Sequence, residues 1–242
     1  MTFTSVEAFN EPIASWWVGT TGTQEGCHFD ESTQATLVIY LRDELTTRGL
    51  SGIMVSASDE NTYDEALTTW NSFNSTAKAS VGRVNTHGYQ YQSGNRAGLY
   101  TAAVTVSGKG LWNSEYGEGD ATGYDLVSYL MLDLIYLHPT GWVYWQALDG
   151  SGWGLIEADE QAGTIGAVSQ KYFVLAQFTR HIREGMVILN GGSNYTVAAY
   201  DASTETLVIV AVNWYVLHSF SFPLVLGHGC ACVYVYRRGD LG

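Results

Sequence analysis

The sequence predicts an α/β protein with five strand–helix units of a partial (β/α)8 TIM barrel, followed by part of an antiparallel β-sandwich side domain. Strand-like and helix-like segments alternate through the first 185 residues, which is typical of parallel strands joined by crossover helices. Polar residues follow strand after strand, as they do at the mouth of a barrel. A complete barrel takes about 250 residues by itself, so we expect the 242 residues of this chain to hold only part of one.

The first two units are predicted from composition and periodicity. Residues 3–9 have the β-branched and aromatic content of a strand. A helix begins at Ser32 or Thr33 and ends at Gly49. Residues 52–56 form the second strand. Apolar residues recur at helical spacing in the two helices: Leu37, Val38, Leu41 and Leu45 in the first, and Ala66, Leu67, Trp70 and Phe73 in the second.

Three further units follow the same plan. Strands are predicted at 81–85, 110–114 and 141–146, and helices at 95–106, 120–137 and 169–185. The inner face of the barrel is expected to carry Val55, Val84, Leu111 and Val143. The glycine-rich loop at 149–154 lacks the strand-to-helix context of a phosphate-binding loop, which excludes nucleotide binding there.

The pattern changes after residue 185. Strands at 186–189, 195–200 and 207–213 succeed one another, with a hairpin loop at 201–205. We therefore predict a partial barrel at 1–185 and an incomplete side domain at 186–242. The tail from residue 218 onward is irregular and apolar, and it is atypical of such a domain.

Composition limits the possible functions. The chain is 46% hydrophobic and 14% charged, so it is globular rather than disordered. A net charge of -13 argues against a nucleic-acid partner. The three cysteines lack metal-site spacing, and no metal or cofactor is predicted. No apolar stretch is long enough to span a membrane. Met1 is followed by polar residues, unlike a signal peptide, whereas the glycosylation sequons at Asn74 and Asn194 permit secretion.

Two short segments each carry a glutamate where a strand runs into a loop. Glu11 lies in Ala-Phe-Asn-Glu-Pro and Glu115 in Leu-Trp-Asn-Ser-Glu-Tyr-Gly. A single glutamate after a strand is more often a solvated loop residue. Two of them match the requirement of glycosidic-bond hydrolysis, in which one carboxyl group protonates the leaving oxygen and the other attacks the sugar or activates water.

These two motifs resemble those of glycoside hydrolase family 30, from the large group of retaining (β/α)8-barrel enzymes. Four further segments are similar to the fungal endo-β-1,6-galactanases of that family: Trp16-Trp17, Gln24 to Phe29, Ser56 to Glu60, and Trp145 to Leu148. The resemblance extends from about residue 3 to residue 213. It implies that the five units are the last five of the barrel, with Glu11 after the fourth strand and Glu115 on the seventh.

The resemblance also implies a role for each glutamate. Glu11 would be the acid/base, which must hold its proton near neutral pH through apolar surroundings or a second carboxylate. Glu115 would be the ionised nucleophile, about 5–5.5 Å from Glu11. Tyr89 would donate a hydrogen bond to Glu115, or else be a packing tyrosine. His87 is expected to be a site residue or an ordinary structural histidine.

The remaining candidates would contact the sugar. Asn10 would bind the 2-hydroxyl next to the cleaved bond, or cap a turn. Trp145, followed by Gln146, would form the floor of the sugar site, or belong to the barrel core. Trp17 lies in a loop where it could stack on a flanking sugar. Asp59 and Glu60 could touch hydroxyls, although they more commonly begin the next helix.

The resulting hypothesis is a secreted, retaining endo-glycosidase that binds a polysaccharide or oligosaccharide, specifically the β-1,6-galactan side chains of arabinogalactan. Family relatives cleave β-1,6-glucan, xylan or glucosylceramide, and no residue excludes these substrates. An inactive, truncated carbohydrate-binding remnant is the alternative. Because an open barrel leaves unpaired strand edges, the chain by itself is expected to be poorly stable and inactive.

Overall fold

The computed structural model describes residues 3–19, 26–213 and 231–237. The chain forms two compact units. The first comprises Met1–Tyr116 and Tyr136–Tyr144, and the second comprises Gly117–Ile135 and Trp145–Gly242. Within the described residues, no helix has the length and apolar character needed to cross a membrane.

The first unit is built on one parallel sheet. Its five strands pair in chain order, each parallel to the next: β1 (Ser5–Glu7), β2 (Met54–Glu60), β3 (Arg83–His87), β4 (Gly110–Tyr116) and β5 (Gly141–Tyr144). The predicted number, order and direction of these strands are confirmed. The carboxyl ends of all five strands consequently meet at one edge of the sheet.

Helices cover this sheet. They are α1 (Glu31–Thr47), α2 (Tyr63–Ser72), α3 (Ser75–Ser80) and α4 (Arg96–Tyr100), and α4 continues as a π-helix over Thr101–Val106. The predicted start of α1 at Ser32 or Thr33 is wrong by a few residues. Asp30 is the N-cap, and its carboxylate accepts a 2.7 Å hydrogen bond from the backbone N–H of Thr33.

The apolar core lies between the sheet and these helices. Val55, Val84 and Leu111 are buried in one cluster with helical residues such as Trp70 and Leu99. The expectation that these strand residues line the inside of the barrel is therefore wrong, and Val143 is 44% exposed. Successive strand residues alternate between the two faces of a sheet. The residues that precede and follow these apolar residues therefore lie on the opposite face.

That opposite face is polar. Arg83 donates hydrogen bonds to Asn85 (2.9 Å) and to the hydroxyl of Ser56 (3.2 Å), and its guanidinium lies 3.7 Å from the ring centroid of Trp112. Asn85 in turn donates to Glu7 (3.1 Å). Burial, followed by the charge of Asp59, raises the pKa of Glu7 well above its usual value. The inner face is thus suited to polar ligands rather than to an apolar layer.

The second unit contains helices and two small sheets. The helices are α5 (Tyr124–Leu132), which continues as a π-helix over Asp133–Leu137, and α6 (Gln170–Thr179). One sheet, absent from the sequence prediction, contains β6 (Leu148–Asp149), β7 (Ile156–Asp159) and β8 (Thr164–Val168). The other contains β9 (Val187–Leu189), β10 (Thr196–Asp201), β11 (Thr206–Asn213) and β12 (Ala231–Arg237).

The second sheet confirms the predicted strands after residue 185. Strands β9, β10 and β11 are antiparallel neighbours. Strand β12 pairs parallel to β11, so the expectation of a wholly irregular tail is wrong at these residues. The predicted domain boundary at residue 185 stays a prediction.

Candidate active site

The two glutamates singled out by the sequence lie close together. Strand β1 ends at Glu7 and the following loop carries Glu11, whereas Glu115 is on β4 itself. A carboxylate oxygen of Glu11 and one of Glu115 lie within 4.8 Å of each other. Their strands are separated in the sheet by β2 and β3, so curvature of the sheet and the length of the side chains bring them together.

Glu11 is held by hydrogen-bonding contacts of both its backbone and its side chain. Its backbone N–H donates to the carbonyl oxygen of Asp59 (2.8 Å), and its own carbonyl accepts from the indole N–H of Trp17 (2.6 Å). Its Oε1 accepts from the amide of Asn61 (2.6 Å) and lies 3.0 Å from Nδ1 of His87. The residue is 6% exposed and has a φ of 48°, a conformation that is uncommon outside glycine. These contacts fix a buried carboxyl group in an unusual backbone position.

Glu115 is held from the neighbouring strand. The hydroxyl of Tyr89 donates a 2.8 Å hydrogen bond to its Oε1, which is the contact implied by the family resemblance. Its backbone carbonyl accepts from the N–H of Gly88 (2.8 Å). Burial, followed by the charge of Glu115, raises the pKa of the Tyr89 hydroxyl. Tyr89 therefore remains a hydrogen-bond donor at neutral pH.

His87 lies at the centre of the site and is fully buried. Its Nδ1 is 3.0 Å from Glu11 and 3.7 Å from Glu115, and its Nε2 is 3.3 Å from Oδ2 of Asp59. Burial alone lowers its pKa, but the hydrogen bonds and charges of these carboxylates outweigh it and raise the pKa to about 10. The imidazole is consequently protonated and positively charged at neutral pH.

The pKa directions of the two glutamates differ from the expected ones. Burial raises the pKa of Glu11, but hydrogen bonds from His87 and Asn61 bring it below its usual value. Burial raises the pKa of Glu115, only partly opposed by His87 and Tyr89. The expectation of a raised pKa at Glu11 is wrong because the imidazolium lies nearer to Glu11 than to Glu115.

The other sequence candidates occupy different surroundings. Asn10 is exposed next to Glu11. The indole N–H of Trp17 is bonded to the protein, and the side chain is partly buried. Trp145 and Gln146 belong to the second compact unit, where Trp145 is 46% exposed and the amide of Gln146 donates to Asp149 (3.4 Å).

Known proteins resemble this chain in sequence and in fold. No protein-family model matches the chain. An endo-β-1,6-galactanase of Hypocrea rufa is 55% identical over 222 residues, which cover 92% of this chain and 46% of that protein. The chain is therefore similar to this galactanase in sequence, and it is similar in fold to solved structures of glycoside hydrolase family 30. The resemblance inferred from its motifs is confirmed, and the chain spans about half the length of the curated relative that it matches.

Solved structures of family 30 confirm the partial (β/α)8 fold. The catalytic domain of xylanase C from Talaromyces cellulolyticus superposes with a TM-score of 0.64 at 18% identity, covering 84% of this chain and 48% of that one. A subfamily 8 xylanase from Clostridium acetobutylicum gives a TM-score of 0.61 at 18% identity, covering 82% and 48%. At this level of identity the likeness concerns the fold alone.

The buried side chain of Glu60 supports the loop that carries Glu11. Glu60 does not begin a helix, since α2 starts at Tyr63. It is fully buried, and one carboxylate oxygen accepts from Gln34 (3.0 Å) and Thr69 (2.8 Å) while the other accepts from the backbone N–H of Ile13 (3.2 Å). Its carboxylate thereby connects α1, α2 and the loop after β1. Burial, partly opposed by these bonds, raises its pKa.

Sequence reasoning misses Asn61 as a site residue, and it misses the contacts that Asp59 makes in the site. Asn61 was not singled out, and Asp59 was expected to touch substrate hydroxyls or begin a helix. Asn61 instead bonds Glu11, and Asp59 lies beside His87. The available signal was the run of polar residues at the end of a buried strand.

Two clusters of metal-ligand type lie in the described residues. Glu11, His87 and Glu115 form one, and Glu118, Asp120 and Asp125 form the other. In the first, protonated His87 has no lone pair to offer a metal. In the second, the ammonium group of buried Lys171 lies 2.9 Å from Glu118 and supplies the positive charge. In each cluster a side-chain cation thus lies beside the carboxylates.

Proposed function

We propose that this chain carries the catalytic carboxyl groups of a retaining endo-glycosidase that hydrolyses β-1,6-galactan. The single observation that carries the proposal is the close approach of Glu11 and Glu115, within 4.8 Å between carboxylate oxygens. Retaining enzymes place the two groups about 5–5.5 Å apart, whereas inverting enzymes leave about 6.5–9.5 Å for a water molecule. The polymer is taken from the name of the 55% identical relative.

In the first step, Glu115 attacks the anomeric carbon. The glycosidic C–O bond breaks, the leaving oxygen takes a proton from Glu11, and a covalent glycosyl-enzyme forms. In the second step, Glu11 removes a proton from water, which attacks the anomeric carbon and releases Glu115. Asn10 would bind the sugar 2-hydroxyl, and Tyr89 would hold the attacking oxygen through its 2.8 Å hydrogen bond.

The lowered pKa of Glu11 means that this scheme needs a nearby source for the proton of the general acid. Glu11 has a lowered pKa, yet the proton that it must deliver is on Nδ1 of His87, 3.0 Å away. Transfer along that contact would protonate the Glu11 carboxylate, which becomes neutral, and would leave a neutral imidazole. A short proton transfer thus reconciles an ionised Glu11 with its role as general acid.

The proposal also covers the residues that contact the substrate and the location of the protein. Trp17, Trp145 and Gln146 would contact flanking sugars. The intact protein would be secreted, since its substrate is an extracellular polysaccharide. A carbohydrate-binding protein without hydrolytic activity is the competing proposal. β-1,6-Glucan and xylan are the competing substrates. An assay of the reducing sugar released from β-1,6-glucan, from xylan and from de-arabinosylated arabinogalactan distinguishes the three.

Covalent labelling tests the chemistry. A 2-fluoro β-1,6-galactobiosyl fluoride should form one adduct per chain on Glu115, located by peptide mass spectrometry. Glu115→Gln should abolish the adduct and reduce turnover by several orders of magnitude. The matched control is Glu44→Gln, because Glu44 is exposed on α1 and pairs only with Arg48 among the contacts described. An adduct on another residue would overturn the assignment, and sugar binding without labelling would favour the carbohydrate-binding alternative.

A further inference from the structure

Asp59 has an unusual backbone position in β2. Its φ is 61°, in the left-handed region that residues other than glycine rarely adopt. The pairing of β2 with β3 skips this residue, since Ser58 is opposite Asn85 and Glu60 is opposite Thr86. Asp59 is therefore the extra residue of a β-bulge, a feature that re-aims a side chain and is common next to active sites.

The bulge places three groups of Asp59 against three parts of the site. Its carbonyl oxygen accepts from the backbone N–H of Glu11 (2.8 Å). Its Oδ1 accepts from the hydroxyl of Ser114, the residue before Glu115. Its Oδ2 lies 3.3 Å from Nε2 of His87. One residue thus touches the loop of the proposed acid/base, the strand of the proposed nucleophile and the histidine between them.

The two ring nitrogens of His87 face different carboxylates. Nδ1 faces Glu11 and, at a longer distance, Glu115, whereas Nε2 faces Asp59. The phenol of Tyr89 also lies beside the ring, with 5.8 Å between centroids. Asp59 is consequently the one carboxylate on the Nε2 side among the described residues.

We propose that Asp59 is a positioning residue, which aligns Glu11 with Glu115 and keeps the shared proton on His87 in the resting site. The proposal deepens the proposed function and rests on it for the identity of the two catalytic groups. Its electrostatic part, the effect of Asp59 on His87, does not depend on catalysis.

The test separates charge from alignment with two variants. Asp59→Asn keeps the backbone carbonyl and an acceptor for Ser114 but removes the charge beside Nε2. A nearby opposite charge shifts a pKa by about 1–3 units, so the His87 pKa should fall by about that amount in this variant. Imidazole nitrogen NMR of the full chain measures it, and His87→Gln assigns the signal. The control Asp43→Asn changes an exposed carboxylate on α1 and should leave the His87 titration unchanged.

Ser114→Ala tests alignment without changing any charge. It removes the one hydroxyl proton that Asp59 shares with the carbonyl oxygen of Thr86 (3.1 Å). The variant should slow fluorosugar labelling of Glu115 about tenfold, as expected for one lost hydrogen bond of about 1.4 kcal/mol. In Asp59→Asn, the alkaline limb of kcat for β-1,6-galactan should move to lower pH with His87, because the leaving sugar oxygen needs a proton. A purely structural role would not cause this change.

Two results would overturn the proposal. One is an unchanged His87 pKa in folded Asp59→Asn, and the other is wild-type labelling of Ser114→Ala. If the wild-type chain takes no label at all, the proposed function fails. The NMR titration then still decides whether Asp59 controls the charge of His87. If Asp59→Asn does not fold, the labelling rate of Ser114→Ala decides the alignment.

Discussion

Replacing Lys171 by methionine should destabilise the second unit strongly. Lys171 is fully buried near the start of α6, and its ammonium group lies 2.9 Å from Oε1 of Glu118 and 2.7 Å from the Glu118 carbonyl. Glu118 is 5% exposed. Methionine approximates the shape of the lysine side chain without its charge, so the variant leaves a buried carboxylate without its cation.

The magnitude follows from the burial of this pair. Removing one partner of a buried ion pair costs about 3–5 kcal/mol, because the remaining charge is uncompensated. For a chain of this size, each kcal/mol lowers Tm by about 2–4 °C. We therefore expect Lys171→Met to lower the melting temperature by roughly 10 °C near neutral pH.

The loss should also depend on pH. Burial raises the pKa of Glu118, and the hydrogen bond and charge of Lys171 oppose that rise. Without Lys171 the folded-state pKa rises further above the unfolded value. A carboxyl group with a raised folded-state pKa favours folding below its unfolded pKa, and this benefit disappears as pH rises through the folded pKa. The deficit of the variant should be small near pH 4 and complete by pH 7 to 8.

Thermal and urea unfolding followed by circular dichroism measure the effect. The double variant Lys171→Met/Glu118→Gln should recover most of the stability, because no buried charge remains. Lys109→Met is the control, since Lys109 is only partly buried before β4. A loss below about 1 kcal/mol at pH 7, or a deficit that is the same at pH 4 and pH 7, would refute the reasoning.

Two further variants address the first unit. Glu60→Gln keeps one acceptor oxygen but places an amide donor opposite the backbone N–H of Ile13, and should lower the free energy of unfolding by about 1–3 kcal/mol in urea titrations. Wild-type stability in this variant would show that Ile13 does not depend on the carboxylate. Tyr89→Phe removes a hydrogen bond that lowers the pKa of Glu115. The acid limb of fluorosugar labelling should therefore move to higher pH, and an unmoved limb would contradict that role.

The sheet and the pair of glutamates could be predicted because they depend on repeating patterns. Alternating strands and helices require parallel strands, and parallel strands bring residues such as Glu11 and Glu115 to one edge. The same pattern does not show on which side of the sheet each strand residue places its side chain. Val84 lies between Arg83 and Asn85 in the sequence, and the polar neighbours occupy the inner face with their own hydrogen bonds.

Asp59 could not be predicted for a different reason. An aspartate and a glutamate before a helical segment have the composition of a helix start. The bulge that assigns Asp59 to the site is visible only in the pairing of β2 with β3. Local propensity and tertiary pairing conflict at this position, and such conflicts are expected at functional sites.

The order of the glutamate pKa values depends on distances that no sequence pattern contains. Three carboxylates, from Glu11, Asp59 and Glu115, surround one imidazolium within 3.7 Å. With all three ionised, the local charge is three negative charges and one positive charge, which gives −2. The transition state of glycoside hydrolysis resembles an oxocarbenium ion and carries positive charge. A preorganised negative site stabilises that charge as it develops, and the neutral polysaccharide of the proposed function would not be repelled by it. Under the proposed function, the same cluster that holds the proton on His87 would stabilise the charge that forms on the sugar.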